Sequence, residues 1–207
     1  QPMAISWPKN ITPDATPRSQ FHHVIDIVPT IYEITKITAP KVVNGFQQDP
    51  IHGTSMVYTF ADSKAKGTRT IQFFDIMGSR GVYKDGWFAS AKGLREPWVG
   101  GLPKGIKEWS PLTDPWQLYN IDEDFSQSNN LAETNPEKLK ELQEVFKQEA
   151  IKNHVFPIDD RRSERFNPAI ASRPDLLGPR KSLTVYEGMV GIAENAFINI
   201  KNTNYTI

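Results

Sequence analysis

Two histidines and an aspartate stand close together near the start of the chain, where they could bind a metal ion. His22 and Asp26 are four residues apart, so on a helix both side chains would lie on one face, and His23 is adjacent. Imidazole nitrogen and carboxylate oxygen both bind zinc. Two such ligands do not complete a metal site, however, and Asp26 also stands where a helix-capping residue is expected. We therefore predict a structural role for these residues.

A second group of oxygen-bearing side chains follows part of a calcium-loop template. Template positions 1, 3, 5 and 12 would be filled by Asp122, Asp124, Ser126 and Glu133. Position 6 of the template needs glycine for a sharp turn, but this chain has Gln127 there. Residues 116–121, just before the loop, have the pattern of a strand, whereas an EF-hand requires a helix. The sequence therefore favours an Asx-type turn that leads into the next helix.

The remaining polar segments lack the spacing that specific chemistry would require. Residues 100–105 have the glycine content of a phosphate-binding loop without its full spacing or the Ser or Thr that follows its lysine. The carboxylates of Asp159, Asp160 and Glu164 alternate with arginines, which indicates a solvated stretch of mixed charge. No G-x-S-x-G elbow or recognisable Ser-His-Asp arrangement occurs. We predict no catalytic, cofactor-binding or metal-binding residue in this chain.

The composition argues against several classes of function. The 24 basic and 24 acidic side chains cancel, so no overall field attracts nucleic acid or an anionic membrane. The chain has no cysteine, which excludes disulfide scaffolds, thiolate metal sites and cysteine nucleophiles. No apolar run approaches the roughly 20 residues of a membrane-spanning helix. Asn10 and Asn204 begin N-glycosylation triplets, which matter only in a eukaryotic secretory context. We expect neither nucleic acid nor a membrane as a partner, and the oligomeric state stays open.

Apolar periodicity predicts a short strand and a helix in the first part of the chain. Residues 3–8 form a largely apolar segment that ends in proline, which indicates a strand. From Phe21 onwards apolar residues recur at helical spacing and predict a helix that begins near Asp26, with Pro29 in its first turn. Because a buried strand is seldom alone, we expect its sheet partners to lie outside this chain.

The middle of the chain predicts an antiparallel hairpin, further strands and a long helix. Asp85-Gly86 suits a two-residue hairpin turn, because glycine accepts a positive φ without steric cost. The strands are predicted at residues 70–77, 82–84, 87–89 and 116–121. Asn135 and Pro136 fit the cap and first position of a helix. Its apolar stripe, which would lie on a sheet, consists of Leu139, Leu142, Val145, Phe146 and Ala150.

Several of these segments, in the same order, resemble the type I sulfatases, or arylsulfatases. In that family a strand ending in Trp-Pro precedes a His-Val-x-Asp-Ile-x-Pro-Thr helix, and the similar residues here are Ile5 to Pro8 and His23 to Thr30. Further similar segments are residues 53–56 (Gly-Thr-Ser-Met), 78–87, 116–121 with 130–132, and 136–142. The resemblance covers residues 1 to about 155. Residues 159–168 and 186–189 look like the larger bacterial arylsulfatases, which continue into a further β-rich region.

The resemblance implies an α/β fold of the alkaline-phosphatase and sulfatase type, of which this chain would be a fragment. Residues 1–60 would supply the last strand and helix of the large sheet domain. Residues 61–156 would form a small α+β subdomain with a four-stranded antiparallel sheet and one long helix. Residues 157–207, where the pattern dissolves apart from a short strand candidate at 182–186, would be an extended wrapping tail or linker.

The resemblance also implies a chemistry that is located elsewhere in the parent enzyme. Family members hydrolyse sulfate esters with a formylglycine, made from Cys or Ser in a C/S-x-P-x-R motif, beside a calcium ion held by Asp and Asn. That motif is absent here. The metal ligands and the Lys, His and Arg that grip sulfate are expected upstream of Ile5. Calcium and formylglycine would therefore belong to the N-terminal catalytic part, which is the expected partner, and the sulfate ester would bind there.

Two functions of different classes follow. The first is the C-terminal part of an arylsulfatase, inactive alone, in the periplasm or cytoplasm of a bacterium. The second is a separate carbohydrate-binding or interaction module that uses exposed tryptophans as stacking platforms. Its candidate platforms are Trp87, Trp98, Trp109 and Trp116. Tryptophans more often belong to a core, because burying their large rings is strongly favourable.

Overall fold

The computed structural model describes residues 3–11, 13–94, 105, 109–158, 176–192, 196–198, 200 and 204–206. The chain divides into two compact units, residues 1–158 and 159–207. The helices α1 and α2 span Ile27–Thr35 and Pro136–Lys152, and short 3-10 turns span Val24–Asp26 and Val57–Thr59. The strands β1 to β6 span Val42–Val43, Phe46–Gln47, Ile71–Ile76, Ser79–Lys84, Trp87–Ala91 and Gln117–Asn120. Within its described residues the first unit has two antiparallel sheets and two helices, the architecture of a small α+β domain.

The larger sheet is an antiparallel meander with the strand order β3-β4-β5-β6. Two-residue turns join its first three strands. Met77 and Gly78 have φ values of 51° and 86°, and Asp85 and Gly86 have values of 45° and 85°. Positive φ at both positions gives the turn a twist that matches the flanking strands. The predicted Asp85-Gly86 hairpin is confirmed, and β4 begins directly after Gly78, earlier than the sequence pattern indicates.

Helix α2 covers one face of this sheet. Val82, Ala89 and Leu118 lie on neighbouring strands in paired register and are completely buried. They form one core with residues of the predicted helical stripe, Leu142, Phe146 and Ala150. The helix starts at Pro136, as predicted, but the side chain of Asn135 makes no capping hydrogen bond and donates to Thr134 Oγ1 instead.

The opposite face of the sheet is aromatic and is covered by residues 21–26, which we call the strap. The ring of Phe21 stacks on Tyr83 with ring centroids 3.8 Å apart. The ring of His23 meets Phe74 edge-on at 5.5 Å, and Phe74 in turn meets Phe88. The sheet is therefore enclosed between α2 and a segment that directly precedes α1.

The predicted helix near Asp26 is confirmed, because the 3-10 turn of the strap continues into α1. Residues 3–7 have no hydrogen-bonded strand partner within the described ranges, so the strand there, whose sheet partners are expected outside this chain, stays a prediction. The strand predicted at residues 182–186 is wrong, because these residues form no strand and the Met189 N–H donates to the Tyr186 carbonyl in a turn. Across the described segments, no helix has both the length and the apolarity needed to cross a bilayer.

Candidate functional site

The carboxylate of Asp26 is the centre of a hydrogen-bonded cluster and accepts four hydrogen bonds, and its residue is fully buried. Its Oδ2 accepts the backbone N–H of His23 at 2.9 Å and Nε–H of Arg69 at 3.1 Å. Its Oδ1 accepts the backbone N–H of Thr54 at 2.7 Å and a second guanidinium N–H of Arg69. Each oxygen thus has two donors, and the Arg69 fork binds both oxygens at once.

The environment of Asp26 keeps its carboxylate ionised at neutral pH. Burial would raise the pKa of Asp26, but the hydrogen bonds from Arg69 and from the backbone of His23 and Thr54 oppose it. The net result is a pKa below the ordinary value of 3.8. The Arg69 side chain is itself only 8% exposed, so each charge depends on the other for its stability in the interior.

Two segments that resemble the sulfatases meet at this cluster. Residues 53–56 pack on the start of α1, where Thr30 Oγ1 donates to the Asp26 carbonyl at 2.6 Å and accepts the Met56 N–H at 2.9 Å. Gly53 permits this approach, because a Cβ at that position would clash with the backbone carbonyl of Ile25. The contacts between the two segments join residues 26 to 28 positions apart, and no local sequence pattern indicates them.

The candidate metal ligands have other partners. His23 is the N-cap of the 3-10 turn. Its ring Nδ1 accepts the Ile25 N–H at 3.4 Å, and its backbone N–H donates to the Asp26 carboxylate. Asp26 stands at the N-cap position of α1, as predicted, but its side chain makes no capping hydrogen bond there. Its carboxylate instead accepts the His23 backbone N–H, as the last residue of a capping box that His23 begins. His22 lies between Asp26 and Tyr58, with Nδ1 3.5 Å from Asp26 Oδ2 and Nε2 3.3 Å from the Tyr58 hydroxyl.

The segment that resembled a calcium loop is an Asx-type turn, as predicted. The Asp122 N–H donates to Asn120 Oδ1, and the Asp124 carboxylate accepts the Ser126 hydroxyl and the Asn129 N–H, each at 2.8 Å. The Asn129 N–H, followed by that hydroxyl, lowers the pKa of Asp124. Gln127 does adopt the positive φ of template position 6, with a value of 56°.

Glu133 is exposed in the turn ahead of α2. Within the ranges that the structure describes, no three His, Asp or Glu side chains are grouped to hold a metal ion. Asp26 and Asp124 each belong to one of the two candidate metal-binding patterns, and both carboxylates already accept hydrogen bonds from their own chain.

The described tryptophans among the candidate stacking platforms contact their own chain. Trp116 meets Phe146 edge-on at 5.4 Å and lies beneath the guanidinium of Arg80. Trp109 donates through Nε1 to Asp114 at 2.7 Å. Trp87 packs against the core beside α2, with Lys138 Nζ 5.8 Å from its ring centroid. These contacts favour a packing role for the three tryptophans over a role as stacking platforms for a ligand.

Some of the candidate segments lie outside the described residues, and others are on the surface. Outside the described ranges are Trp98, residues 100–104, Asp159, Asp160 and Glu164. Asn10 is exposed in a turn after Trp7, and Asn204 is exposed.

A cavity of about 380 Å³ opens beside the Asp26 cluster. Its lining includes Thr54, Thr68, Arg69 and Gln72 from the cluster side and Lys152 from the end of α2. The Arg69 charge is neutralised by Asp26, and Lys152 pairs with Glu149 at 3.4 Å. The cavity is therefore polar but has no strong net charge near it.

Comparisons with known proteins give only distant likenesses. No protein-family model matches the chain, and no curated protein matches it. One similar solved structure is BT33336S-sulf, from work on the metabolism of multiple glycosaminoglycans by Bacteroides thetaiotaomicron. It is 20% identical with a TM-score of 0.39, over 59% of this chain and 24% of that one. Another, Ps i-CgsB, is 18% identical with a TM-score of 0.48, over 81% of this chain and 32% of that one. The chain thus spans about a quarter to a third of their lengths.

Proposed function

We propose that this chain is the C-terminal part of an arylsulfatase and braces an active site formed upstream in the same polypeptide. The ordered resemblance of residues 1 to about 155 to that family supports the proposal. So does the meeting of two of the resembling segments, residues 23–30 and 53–56, at the Asp26 cluster. The shared motif residues have a common physical task there, which is to fix the start of α1.

The outward face of α1 and of the 3-10 turn before it is the observation that carries the proposal. Val24 of that turn and Val28 and Ile31 of α1 recur at helical spacing, yet they are 69%, 48% and 50% exposed. A helix with an apolar stripe normally buries that stripe against another layer of the domain. Asp26 and Thr30, which are polar, are instead the buried residues of this region. A large sheet of the parent enzyme is the proposed cover of the apolar face.

The proposed role of this chain is mechanical. Arg69 lies just before β3 and holds Asp26 at the start of α1, while the strap rings pack on the sheet. The small sheet therefore fixes the position of α1, and through α1 it would fix the adjoining part of the catalytic domain. Formylglycine would supply the nucleophile and calcium would neutralise charge at sulfur. The carboxylates of Asp26 and Asp124 already accept hydrogen bonds from their own chain and the C/S-x-P-x-R motif is absent, so neither group is assigned to this chain.

Hydrolysis of 4-nitrophenyl sulfate tests the proposal. The natural polypeptide that contains this chain should hydrolyse the ester, and the 207-residue chain alone should not. Turnover by the chain alone, or none by the natural polypeptide, would overturn the proposal.

A pair of surface variants in the natural polypeptide tests the covered face. The double substitution Val28→Lys and Ile31→Lys should lower the yield of folded, active enzyme, because it would bury two charges against the sheet. Ile151→Lys is the control, since Ile151 is a similarly exposed apolar residue at the end of α2. Equal activity of both variants would contradict the proposed cover.

A further inference from the structure

His23 attaches the strap to the sheet, and its contacts require the neutral form of its ring. His23 Nδ1 accepts the Ile25 N–H at 3.4 Å, so this nitrogen presents a lone pair and is unprotonated as long as the bond exists. The same ring packs edge-on against Phe74 on the aromatic face of the sheet. One side chain therefore serves both as the cap of the 3-10 turn and as a contact between the strap and the sheet.

The groups around His23 make a positive charge on its ring unfavourable. Arg69 lies close by, because its guanidinium binds Asp26, and it repels a second cation. Asp26 opposes this effect, although its carboxylate is already neutralised by Arg69. His22, the other titratable neighbour on the strap, faces Asp26 Oδ2 and the Tyr58 hydroxyl.

We propose that the strap is an acid-sensitive latch, in which protonation of His23 breaks the cap and releases residues 21–26 from the aromatic face of the sheet. The added proton places a second N–H opposite the Ile25 N–H, so the capping hydrogen bond becomes a contact between two donors. Release of the strap would also loosen α1, which follows it directly.

The direction of the pKa shift of His23 agrees with an acid-sensitive latch. Burial, followed by the charge of Arg69, lowers the pKa of His23 from its ordinary value of 6.5, and Asp26 only partly opposes them. The unfolded chain therefore binds the proton more readily than the folded one. The stability that neutral His23 contributes is complete above the unfolded pKa and is lost as the pH falls through the folded pKa.

Amide hydrogen exchange of the 207-residue chain tests the latch, with rates corrected for the intrinsic effect of pH. Between about pH 7.5 and about pH 5.5, where an ordinary histidine titrates, protection of residues 21–26 should fall roughly threefold or more. Protection of α2 residues 142–150 should change much less. His23→Asn keeps a good capping acceptor that does not titrate, so this variant should hold its protection across the range.

His22→Asn and His52→Asn are the matched controls, and both should retain the wild-type loss of protection. The proposal is overturned if His23→Asn loses as much protection as the wild type. It is also overturned if the wild type loses none, or if His22→Asn alone abolishes the loss. Equal loss in the strap and in α2 would mean general acid unfolding and would likewise contradict a local latch.

Discussion

The two helices of the first unit differ in what holds them in place. α2 buries Leu142, Phe146 and Ala150 against the sheet, and its polar residues face outwards. α1 has the reverse arrangement, because its buried residue is Thr30 and its apolar residues Val28 and Ile31 are at the surface. α2 is positioned by apolar packing within this chain. α1 is positioned by hydrogen bonds, and its apolar side remains available for another layer.

This difference separates two kinds of sequence information. The position of α2 follows from an amphipathic pattern, and any sheet with an apolar face could receive it. The position of α1 follows from a few specific donors and acceptors in three segments that are distant in sequence, at residues 26 and 30, 54 and 56, and 69. We therefore expect α1 to be disturbed when a single hydrogen-bonding side chain is replaced. We expect α2 to be disturbed when a single buried apolar side chain is shortened.

The largest expected effect is the loss of the buried charge pair that holds α1. Asp26→Ala leaves the Arg69 guanidinium buried without its partner and should lower the free energy of unfolding by about 3–5 kcal/mol. Glu141→Ala is the control, because its pairs with Lys84 and Lys138 are at the surface and are each worth about 0–1 kcal/mol. Urea denaturation measures both. Equal losses would remove the distinction between the Asp26 cluster and a surface ion pair.

Truncation of the α2 core comes next. Leu142 is completely buried, so Leu142→Ala should cost about 2–5 kcal/mol through lost burial and the cavity left behind. Ile31→Ala on the exposed face of α1 should change the stability of this chain by less than about 0.5 kcal/mol. Thermal or urea unfolding compares the two variants. A cost for Ile31→Ala close to that of Leu142→Ala would show that the α1 face is covered within this chain.

The close approach of residues 53–56 to α1 predicts an effect of intermediate size. Gly53→Ala should cost about 1–3 kcal/mol, because its Cβ would force the loop away from the Ile25 carbonyl and weaken the Thr54 hydrogen bond to Asp26. Gly67→Ala is a matched control, since a Cβ there would be 3.7 Å from Gln20, an ordinary contact. Chemical denaturation of the two variants compares their unfolding free energies. If Gly53→Ala left the unfolding free energy unchanged, the close packing of residue 53 on the Ile25 carbonyl would be contradicted.

The smallest expected effect on stability is also the most direct test of the exposed face. Val28→Lys with Ile31→Lys should leave the unfolding free energy of this chain within about 0.5 kcal/mol. It should, however, reduce self-association, because the exposed apolar stripe is a contact surface when it is not covered. Sedimentation velocity at increasing concentration measures this. Unchanged association relative to wild type would indicate that the stripe is not the contact surface.

The sheet and α2 could be predicted because their signals are local. Asp85-Gly86 defines a hairpin by itself, and the stripe from Leu139 to Ala150 defines the buried side of a helix. The Asp26 cluster could not be predicted, because its partner Arg69 is 43 residues away and no local pattern marks it. Because Asp is a preferred cap, the sequence predicts that the Asp26 side chain caps α1. Its carboxylate instead accepts hydrogen bonds from Arg69, Thr54 and His23, and the His23 ring caps the 3-10 turn.

The two-residue turns at Met77-Gly78 and Asp85-Gly86 have a consequence for the order of folding. They join β3, β4 and β5 with almost no loop to close, so these strands can pair through contacts of short sequence separation. The strap must instead find Arg69 and the aromatic face across a much longer stretch of chain. We therefore expect this three-strand meander to form early and to serve as the template on which the strap and α1 dock afterwards.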